Sequence, residues 1–392
     1  MMLQRLVSLH GLDRSTVVRD QRWKRGLRMN SQEAWIAVSQ IPGLSPAKRL
    51  ALCQYFGDAR TAWLAGPEAW AEVCGVVKHL RRWQDHHQNF EAESLVERCR
   101  REGVEIITWP DASYPELLRE IPQPPLVLYR QGDVWPMERF LLAVVGTRKP
   151  DSYGRRMTRM LVGVLSDAPV CLVSGLARGI DAEAHQVAWE HGIPSVAVLG
   201  NGTNVIYPSE HRHLYQAVSE NGSLLSEYPP DTEPAAWHFP ARNRIIAGMA
   251  RALLVVQAPR KSGALITARH ALEANRDVWS VPADATRQQS EGCLELIRDG
   301  AMMIRNPRDL FEGISSWLPQ VRSVLDGDAA GGVPLTVEEA AVMHAVRKGA
   351  SDFDSILQEV QLPVQVLNTT LLSLQLKGLI DASDGPFYHV KT

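Results

Sequence analysis

The sequence predicts an α/β protein with a doubly wound parallel sheet, preceded by a helical module and followed by a small mixed module. Between residues 138 and 315, five short apolar runs alternate with helical patterns, and a turn bearing glycine or serine follows each run. Buried parallel strands joined by crossover helices produce this alternation. The length of 392 residues is sufficient for two or three domains.

The first two segments of the chain differ in composition. Residues 1–28 are polar and rich in arginine, and we interpret them as a non-native start or, alternatively, as a disordered arm that grips nucleic acid. Residues 29–103 predict helices because apolar residues recur at spacings of three and four. The first helix is predicted over 30–38 with Ser31 as its N-cap. The turn at 41–45 is either a plain interhelical turn or a hairpin whose N–H groups grip a phosphate.

Residues 104–318 are interpreted as a connector followed by the α/β domain. The connector contains two predicted strands, at 104–108 and 126–129, separated by a helical turn that ends at a proline-rich run. The five apolar runs predict the strands of the main sheet. These runs are 140–145, 170–173, 195–199, 252–256 and 277–281.

The C-terminal part is predicted to be a linker and a small domain. Residues 319–335 contain a glycine-rich stretch with little to bury, which indicates a linker. Residues 336–392 show three helical patterns and then two short strands, the element order of a winged-helix domain. The net charge of this last segment is −3, which disfavours a phosphate backbone.

Composition excludes several classes of protein. With 42 basic and 44 acidic residues, the net charge of −2 excludes a wholly basic, histone-like DNA coat. No stretch reaches 18 consecutive apolar residues, so no transmembrane helix and no membrane partner are expected. The five cysteines are scattered and none lies in a CxxC motif, so we expect no disulfide framework, no metal site and a reducing cytoplasm. Asp181 and His185 are four residues apart, but no third ligand with suitable spacing follows, and helix capping is the preferred interpretation.

Candidate binding residues follow the predicted strands, where open α/β sheets bind their ligands. Glycines, hydroxyls and cations at the start of a helix suit an anion such as phosphate. The segment 237–246 adds aromatic rings beside an Arg-Asn-Arg run, where we expect one arginine to be structural and the other to contact the ligand. Neither a GxGxxG nor a GxxxxGK[ST] motif is present at these turns, so no cofactor is expected. The predicted nucleic-acid-binding residues are Gly146, Thr147, Arg148, Ser174, Gly175, Arg178, Gly200, Phe239, Arg242, Asn243, Arg244, Lys261, Ser262, Gly263 and Thr267.

Seven ordered motifs between residues 138 and 315 carry a family resemblance. They read VVGTRKPDSYG, SGLARGIDAEAH, VLGNGTNVIYP, LLSEYPP, FPARNRIIAG, SGALITARHALE and GAMMI. This region resembles the DNA-processing protein A family, also called DprA or Smf. The sequence departs from the usual family pattern at Asn204, Gln257 and Ala283, which affects the detail of the pocket rather than the resemblance.

The resemblance implies both a fold and a function. It implies an extended Rossmann-like domain, a SAM-like domain at 29–103 and a winged-helix domain at 336–392. It implies a non-catalytic, dimeric protein that binds single-stranded DNA without a sequence code. It further implies displacement of single-strand-binding protein and loading of a RecA-type recombinase in natural transformation and homologous recombination.

Other functions remain open at this point. A nucleotide-hydrolysing enzyme of the lysine-decarboxylase-like superfamily would use similar loops, although its PGGxGT-type loop and Arg/Glu pair are absent. A dinucleotide-dependent oxidoreductase would need the missing glycine fingerprint. A pure scaffold would show no salt-sensitive binding to an oligonucleotide.

Overall fold

The computed structural model describes residues 29–318, 321, 336–347, 352–360, 362–377, 379–383 and 387–390. The chain forms two compact units, Met1–Leu310 and Phe311–Thr392. The predictions for residues 1–28 and for all of the 319–335 linker except Val321 concern residues outside the described ranges.

Within the described residues, which begin at Met29, five helices precede the sheet. Asn30, not Ser31, is the N-cap of the first helix: its side chain accepts from the Glu33 N–H while the Glu33 carboxylate accepts from the Asn30 N–H. This reciprocal capping box satisfies two N–H groups and makes Asn30 the better cap. The SAM-like assignment remains a prediction. Helices α1 to α5 cover Ser31–Ser39, Pro46–Phe56, Ala59–Cys74, Leu80–Asn89 and Ala92–Arg101.

Indole rings form much of the core beneath these helices. Trp70 and Trp83 are fully buried, and their indole N–H groups donate to the carbonyls of Ala62 and Pro42. Burying a large ring is favourable when its polar atom keeps a hydrogen bond, which is the case for both.

The first unit contains a single nine-stranded sheet within its described residues, in the order β1-β2-β6-β5-β4-β3-β7-β8-β9. The seven strands from β6 to β9 in this order are parallel, whereas β1 and β2 pair antiparallel at one side. Strands β1 to β9 cover Glu105–Thr108, Val127–Gln131, Phe140–Val145, Val170–Ser174, Ser195–Leu199, Gly222–Ser226, Ala252–Val255, Asp277–Ser280 and Met302–Met303.

The order of the parallel strands reverses between β3 and β7. From β3 the chain proceeds outward to β4, β5 and β6, then returns to β7 on the other side of β3. This reversal creates a crevice at the carboxyl ends of the strands, where such folds bind ligands. Helices α6 to α13 cover Glu116–Arg119, Ser152–Gly163, Ile180–Glu190, Arg212–Glu220, His238–Met249, Gly263–Glu273, Glu291–Arg298 and Pro307–Ser315.

The predicted doubly wound α/β fold is confirmed, with differences in detail. All five predicted main strands are present, with ends that shift by one residue at most. The two connector strands are the antiparallel side of the same sheet. Strand β6 was not predicted, since its sequence GSLLS contains only two large apolar residues.

The second unit contains helices α14 to α16 and a hairpin in its described part. Helix α16 buries Leu367, Leu371 and Leu374 on one face, as expected for a core helix, while Val366 is 38% exposed. The order of elements is the predicted one, and the winged-helix assignment remains a prediction. Helices α14 to α16 cover Val337–Arg347, Phe353–Val360 and Val364–Leu376, and strands β10 and β11 cover Ile380–Ser383 and Phe387–Val390.

Two further observations concern the described residues as a whole. None of their helices combines the length and the hydrophobicity that crossing a bilayer requires. The five cysteines are unpaired thiols.

Replacing Gly222 by alanine is expected to destabilise the first unit. A Cβ atom at Gly222 would collide with the backbone carbonyl of Ser195 on the adjacent strand β5. Forcing atoms into such a site costs about 1–3 kcal/mol of unfolding free energy. Urea denaturation measures the loss. As a matched control, Gly263→Ala places its methyl in open space, and an equal loss in both variants would contradict the argument.

Candidate nucleic-acid interface

Backbone hydrogen bonds tie together the loops at the carboxyl ends of the strands. The Thr147 N–H after β3 donates to the Gln257 carbonyl after β7 over 2.7 Å. The Thr147 carbonyl accepts from the Ile180 N–H at the start of α8 over 3.2 Å. Gly179, at φ +86°, leaves no room for a Cβ beside Thr147 and Arg148. Glycine is therefore required where these two loops touch.

A buried arginine connects the loop after β4 to the end of β5. Arg242, on α10, is 4% exposed and donates from Nη1 to the carbonyls of Gly175, over 2.7 Å, and Val198. Burial lowers the pKa of Arg242 to about 10, and the nearby Asp181 carboxylate opposes this shift. Burial likewise raises the pKa of Asp181 to about 6, against the effects of Arg242 and of backbone hydrogen bonds from Gly146 and Gly175. Arg242 and Asp181 thus interact electrostatically beneath the strand ends.

Above this pair lies a groove of ≈ 720 Å³, which we call the strand-end groove. The N-terminal ends of α8 and α11 lie beside it, and their N–H groups and dipoles favour an anion. Arg148 and Lys261 line it with exposed side chains. Ten of the predicted residues line this groove: Gly146, Thr147, Arg148, Phe239, Arg242, Asn243, Lys261, Ser262, Gly263 and Thr267.

An aromatic pair faces the cationic side chains. The ring centroids of Phe239 and Tyr207 are 5.3 Å apart, and the Arg148 guanidinium carbon lies 5.8 Å from the Phe239 centroid. A Cβ at Gly200 would approach the Phe239 ring to 3.0 Å, so glycine allows the ring its position. Stacking surface and cation therefore occur side by side.

A smaller cavity of ≈ 30 Å³ adjoins the strand-end groove and contains three more of the predicted residues. Gly175 and Gly200 form its backbone wall, and Arg178 lies at its edge. Arg178 is paired with the Glu210 carboxylate, whose pKa falls to about 2 because of that hydrogen bond. Arg178 is therefore partly neutralised before any ligand binds.

Two of the predicted residues, Ser174 and Arg244, line neither cavity. The Ser174 hydroxyl is buried and donates to the Val144 carbonyl over 2.6 Å. Arg244 forms an ion pair with Glu227, in which its Nη2 donates to both carboxylate oxygens over 2.7 Å. Since Arg242 is also engaged internally, neither arginine of the Arg-Asn-Arg run presents an unengaged guanidinium group to the strand-end groove. The expectation that one of these arginines is structural and the other contacts the ligand remains a prediction; the sequence alone did not identify Glu227 as the partner of Arg244.

Sequence reasoning missed two residues that matter to this site. Tyr207 supplies the second ring of the aromatic pair with Phe239. Its position before Pro208, at the end of a glycine-containing loop, was the sequence feature that could have identified it. Asp181 was assigned to helix capping, but Gly179 is the N-cap of α8 and the Asp181 carboxylate faces the loops instead.

The Asp181 and His185 pair does not resemble a metal site. His185 is fully buried, its Nδ1 lies 3.2 Å from the Ser195 hydroxyl, and burial lowers its pKa to about 3. Across the residues that the structure describes, no three His, Cys, Asp or Glu side chains lie close enough to hold an ion together.

Comparisons with known proteins agree with this architecture. A sequence profile of the family described as "DNA recombination-mediator protein A" matches residues 105–315. The Synechocystis protein Smf is 36% identical over 394 residues, covering 92% of this chain and 99% of its own. The Bacillus subtilis DNA processing protein DprA is 38% identical over 214 residues, covering 54% of this chain and 72% of its own. The X-ray structure of DNA processing protein A from Streptococcus pneumoniae aligns with a TM-score of 0.66 at 30% identity, covering 72% of this chain and 98% of that one.

The sheet order and the groove at its reversal point define an extended Rossmann-like protein with a helical module before the sheet. The matched profile and the relatives then specify which one. The chain belongs to the DNA-processing protein A family, whose members carry the names DprA and Smf.

The buried His185 is expected to give the protein a characteristic pH dependence of stability. Between its folded pKa of about 3 and an unfolded value near 6.5, the unfolded chain binds a proton that the folded chain does not. Stability must then fall as pH falls below about 6.5. His185→Gln should reduce the slope of unfolding free energy against pH by up to about 1.4 kcal/mol per pH unit. Urea unfolding from pH 7.5 to pH 5 measures it, and identical slopes in both proteins would exclude a buried neutral imidazole.

Proposed function

We propose that the strand-end groove binds single-stranded DNA without reading its sequence. One observation carries the proposal: Arg148, Lys261 and the Phe239 ring line one groove at the N-terminal ends of two helices. Cations and helix N-termini attract phosphates of any sequence. An aromatic ring stacks on the face of any base.

The aromatic pair favours a single strand over a duplex. A base in a duplex is stacked on both sides and cannot offer a face to Phe239 or Tyr207 unless the duplex is disrupted. A single strand exposes its base faces at little cost. We therefore propose weaker binding to double-stranded DNA of equal length.

The proposed partners follow from the family. We propose that the bound strand is handed to a RecA-type recombinase as single-strand-binding protein leaves it, during natural transformation and homologous recombination in the cytoplasm. The family description as a recombination mediator supports this role. A homodimer is proposed on the same resemblance.

We further propose that the protein is not an enzyme. Asp181, the acidic residue that lines the strand-end groove, is buried against Arg242 and backbone N–H groups. It is thus poorly placed to hold a metal or to activate water.

The enzymatic alternative has a direct test. The purified protein, incubated with nucleoside monophosphates or single-stranded DNA and Mg²⁺, is expected to release neither base nor cleaved product on chromatography. Hydrolysis that Arg148→Ala abolishes would replace the proposal with the nucleotide-hydrolase alternative.

Arg148→Ala is expected to lower affinity for all single-stranded sequences by a similar factor. Loss of one phosphate contact reduces the slope of log affinity against log salt by about 0.7 for a single strand. Fluorescence anisotropy with oligo-dT and a mixed sequence, at several salt concentrations, measures both quantities.

Arg298→Ala is the matched control. The Arg298 side chain is 74% exposed and belongs to neither cavity. Its removal should leave affinity and salt slope nearly unchanged. Equal effects of the two substitutions would mean that general surface charge, and not the strand-end groove, binds the DNA.

A further inference from the structure

A second groove, of ≈ 540 Å³, lies on another face of helix α10. Phe239, Asn243 and Ile246 line the strand-end groove, whereas Trp237, just before the helix, and Ala241 and Arg244 line the second groove. Both sets follow spacings of three and four, which places each on its own stripe of the helix. The start of α10 therefore separates two grooves by the width of one helix.

Aromatic rings line the second groove close to that boundary. Trp237 is 68% exposed, and its ring centroid lies 3.9 Å from that of His238 and 6.4 Å from that of Tyr228. The rings of Tyr228 and His238 lie 3.9 Å apart with 31° between their planes. A large exposed indole beside two half-buried or buried rings is a platform on which a flat group can stack.

The charges lining the second groove balance in number. Arg244 is paired with Glu227, and Arg49 and Glu273 are the other cation and carboxylate, with His270 hydrogen-bonded to Glu273. Burial lowers the pKa of Arg49, and its Nε has no hydrogen-bond partner among the residues described. Such a lining gives little net attraction for phosphate. It supplies ring faces and hydrogen-bonding groups, which are what a nucleobase needs.

We propose that Trp237 is a base-stacking residue and that the second groove accepts a base of the same DNA strand after that strand leaves the strand-end groove. This inference rests on the proposed function. To reach from one groove to the other, the sugar-phosphate backbone of the DNA needs to pass only the start of α10, where Trp237 lies on one side and Phe239 on the other. The strand-end groove then holds phosphates and a base, and the second groove holds a base without its own phosphate contacts.

If the two grooves act in this way, substitution of Trp237 should change affinity and its salt dependence differently from substitution of Arg148. Because a base stacked on an aromatic ring gains affinity from that contact, Trp237→Ala should weaken binding at least about fivefold. The salt slope should not change, because no ion pair with phosphate is lost. The effect should appear only with strands long enough to reach the second groove.

The experiment measures affinity by anisotropy for oligo-dT from about 4 to about 16 nucleotides, the range that covers known single-strand site sizes. Wild type, Trp237→Ala, Trp237→Phe and Trp189→Ala are compared. Trp189 is 39% exposed, contacts His213 and lines neither groove, so it controls for the loss of an exposed indole. Circular dichroism verifies that each variant is folded.

The pattern of affinities across variants and strand lengths shows whether Trp237 stacks on a base. A loss confined to Trp237→Ala and to the longer strands, with unchanged salt slope and recovery in Trp237→Phe, supports the base site. Equal affinities of wild type and Trp237→Ala at every length would overturn it while leaving the strand-end groove intact. A loss at all lengths together with a lower salt slope would also overturn it, since Trp237 would then act through the strand-end groove. Absence of single-strand binding by the wild type would instead refute the proposed function itself.

Discussion

The guanidinium group of Arg242 is the contact on which both grooves depend. It joins α10 to the ends of β4 and β5 through the carbonyls of Gly175 and Val198. A cation buried this deeply is tolerable only because carbonyl oxygens and the Asp181 carboxylate surround it. Removing the guanidinium group would leave the two buried carbonyls without a donor, at a cost of about 1–3 kcal/mol for each group left unsatisfied. The position of α10, and with it the rings on both sides, is therefore fixed by an interaction that itself touches little solvent.

The glycines of the strand ends act together with that contact. A side chain at Gly175 would meet the Arg242 guanidinium within 2.7 Å, and one at Gly146 would meet Ile180 within the same distance. Bare backbone at these points lets the loops approach one another, and the N–H groups of Gly146 and Gly175 donate to the Asp181 carboxylate. The net charge of −2 does not reveal this arrangement, because three exposed cations (Arg148, Lys149 and Lys261) and two helix N-termini act locally at the groove.

The sequence predicted the structure best where an element is buried uniformly along its length. The strands around β3 are buried on both faces, so their runs of valine and leucine predicted them to within a residue. Strand β6 was missed because Gly222 and Ser223 lie against β5 and the connector, where small size matters more than hydrophobicity. Glycines and cations that directly follow the predicted strands were likewise sufficient to predict the location of the strand-end groove.

Side-chain pairing could not be read from the sequence in the same way. Arg242 and Arg244 are two residues apart in one motif, yet one supports the loops and the other neutralises Glu227 on another face of the helix. Their roles depend on partners that lie 67 and 17 residues away along the chain. Ser174 is similar, since its hydroxyl satisfies a carbonyl on the neighbouring strand β3. Local pattern predicts where such residues lie, and only the fold determines what they face.

The two faces of α10 also explain why one short helix carries so many polar and aromatic residues. A helix turns about 100° per residue, so the segment beginning at Trp237 alternates between the grooves. Phe239 lies next to the exposed Arg148, where we propose that phosphate and base bind together. Trp237 lies next to Tyr228 and His238, where the lining charges are matched. A strand that crosses the start of this helix would pass from a site governed by charge to one governed by stacking. The salt dependence of affinity would then saturate with strand length while the affinity itself continues to rise.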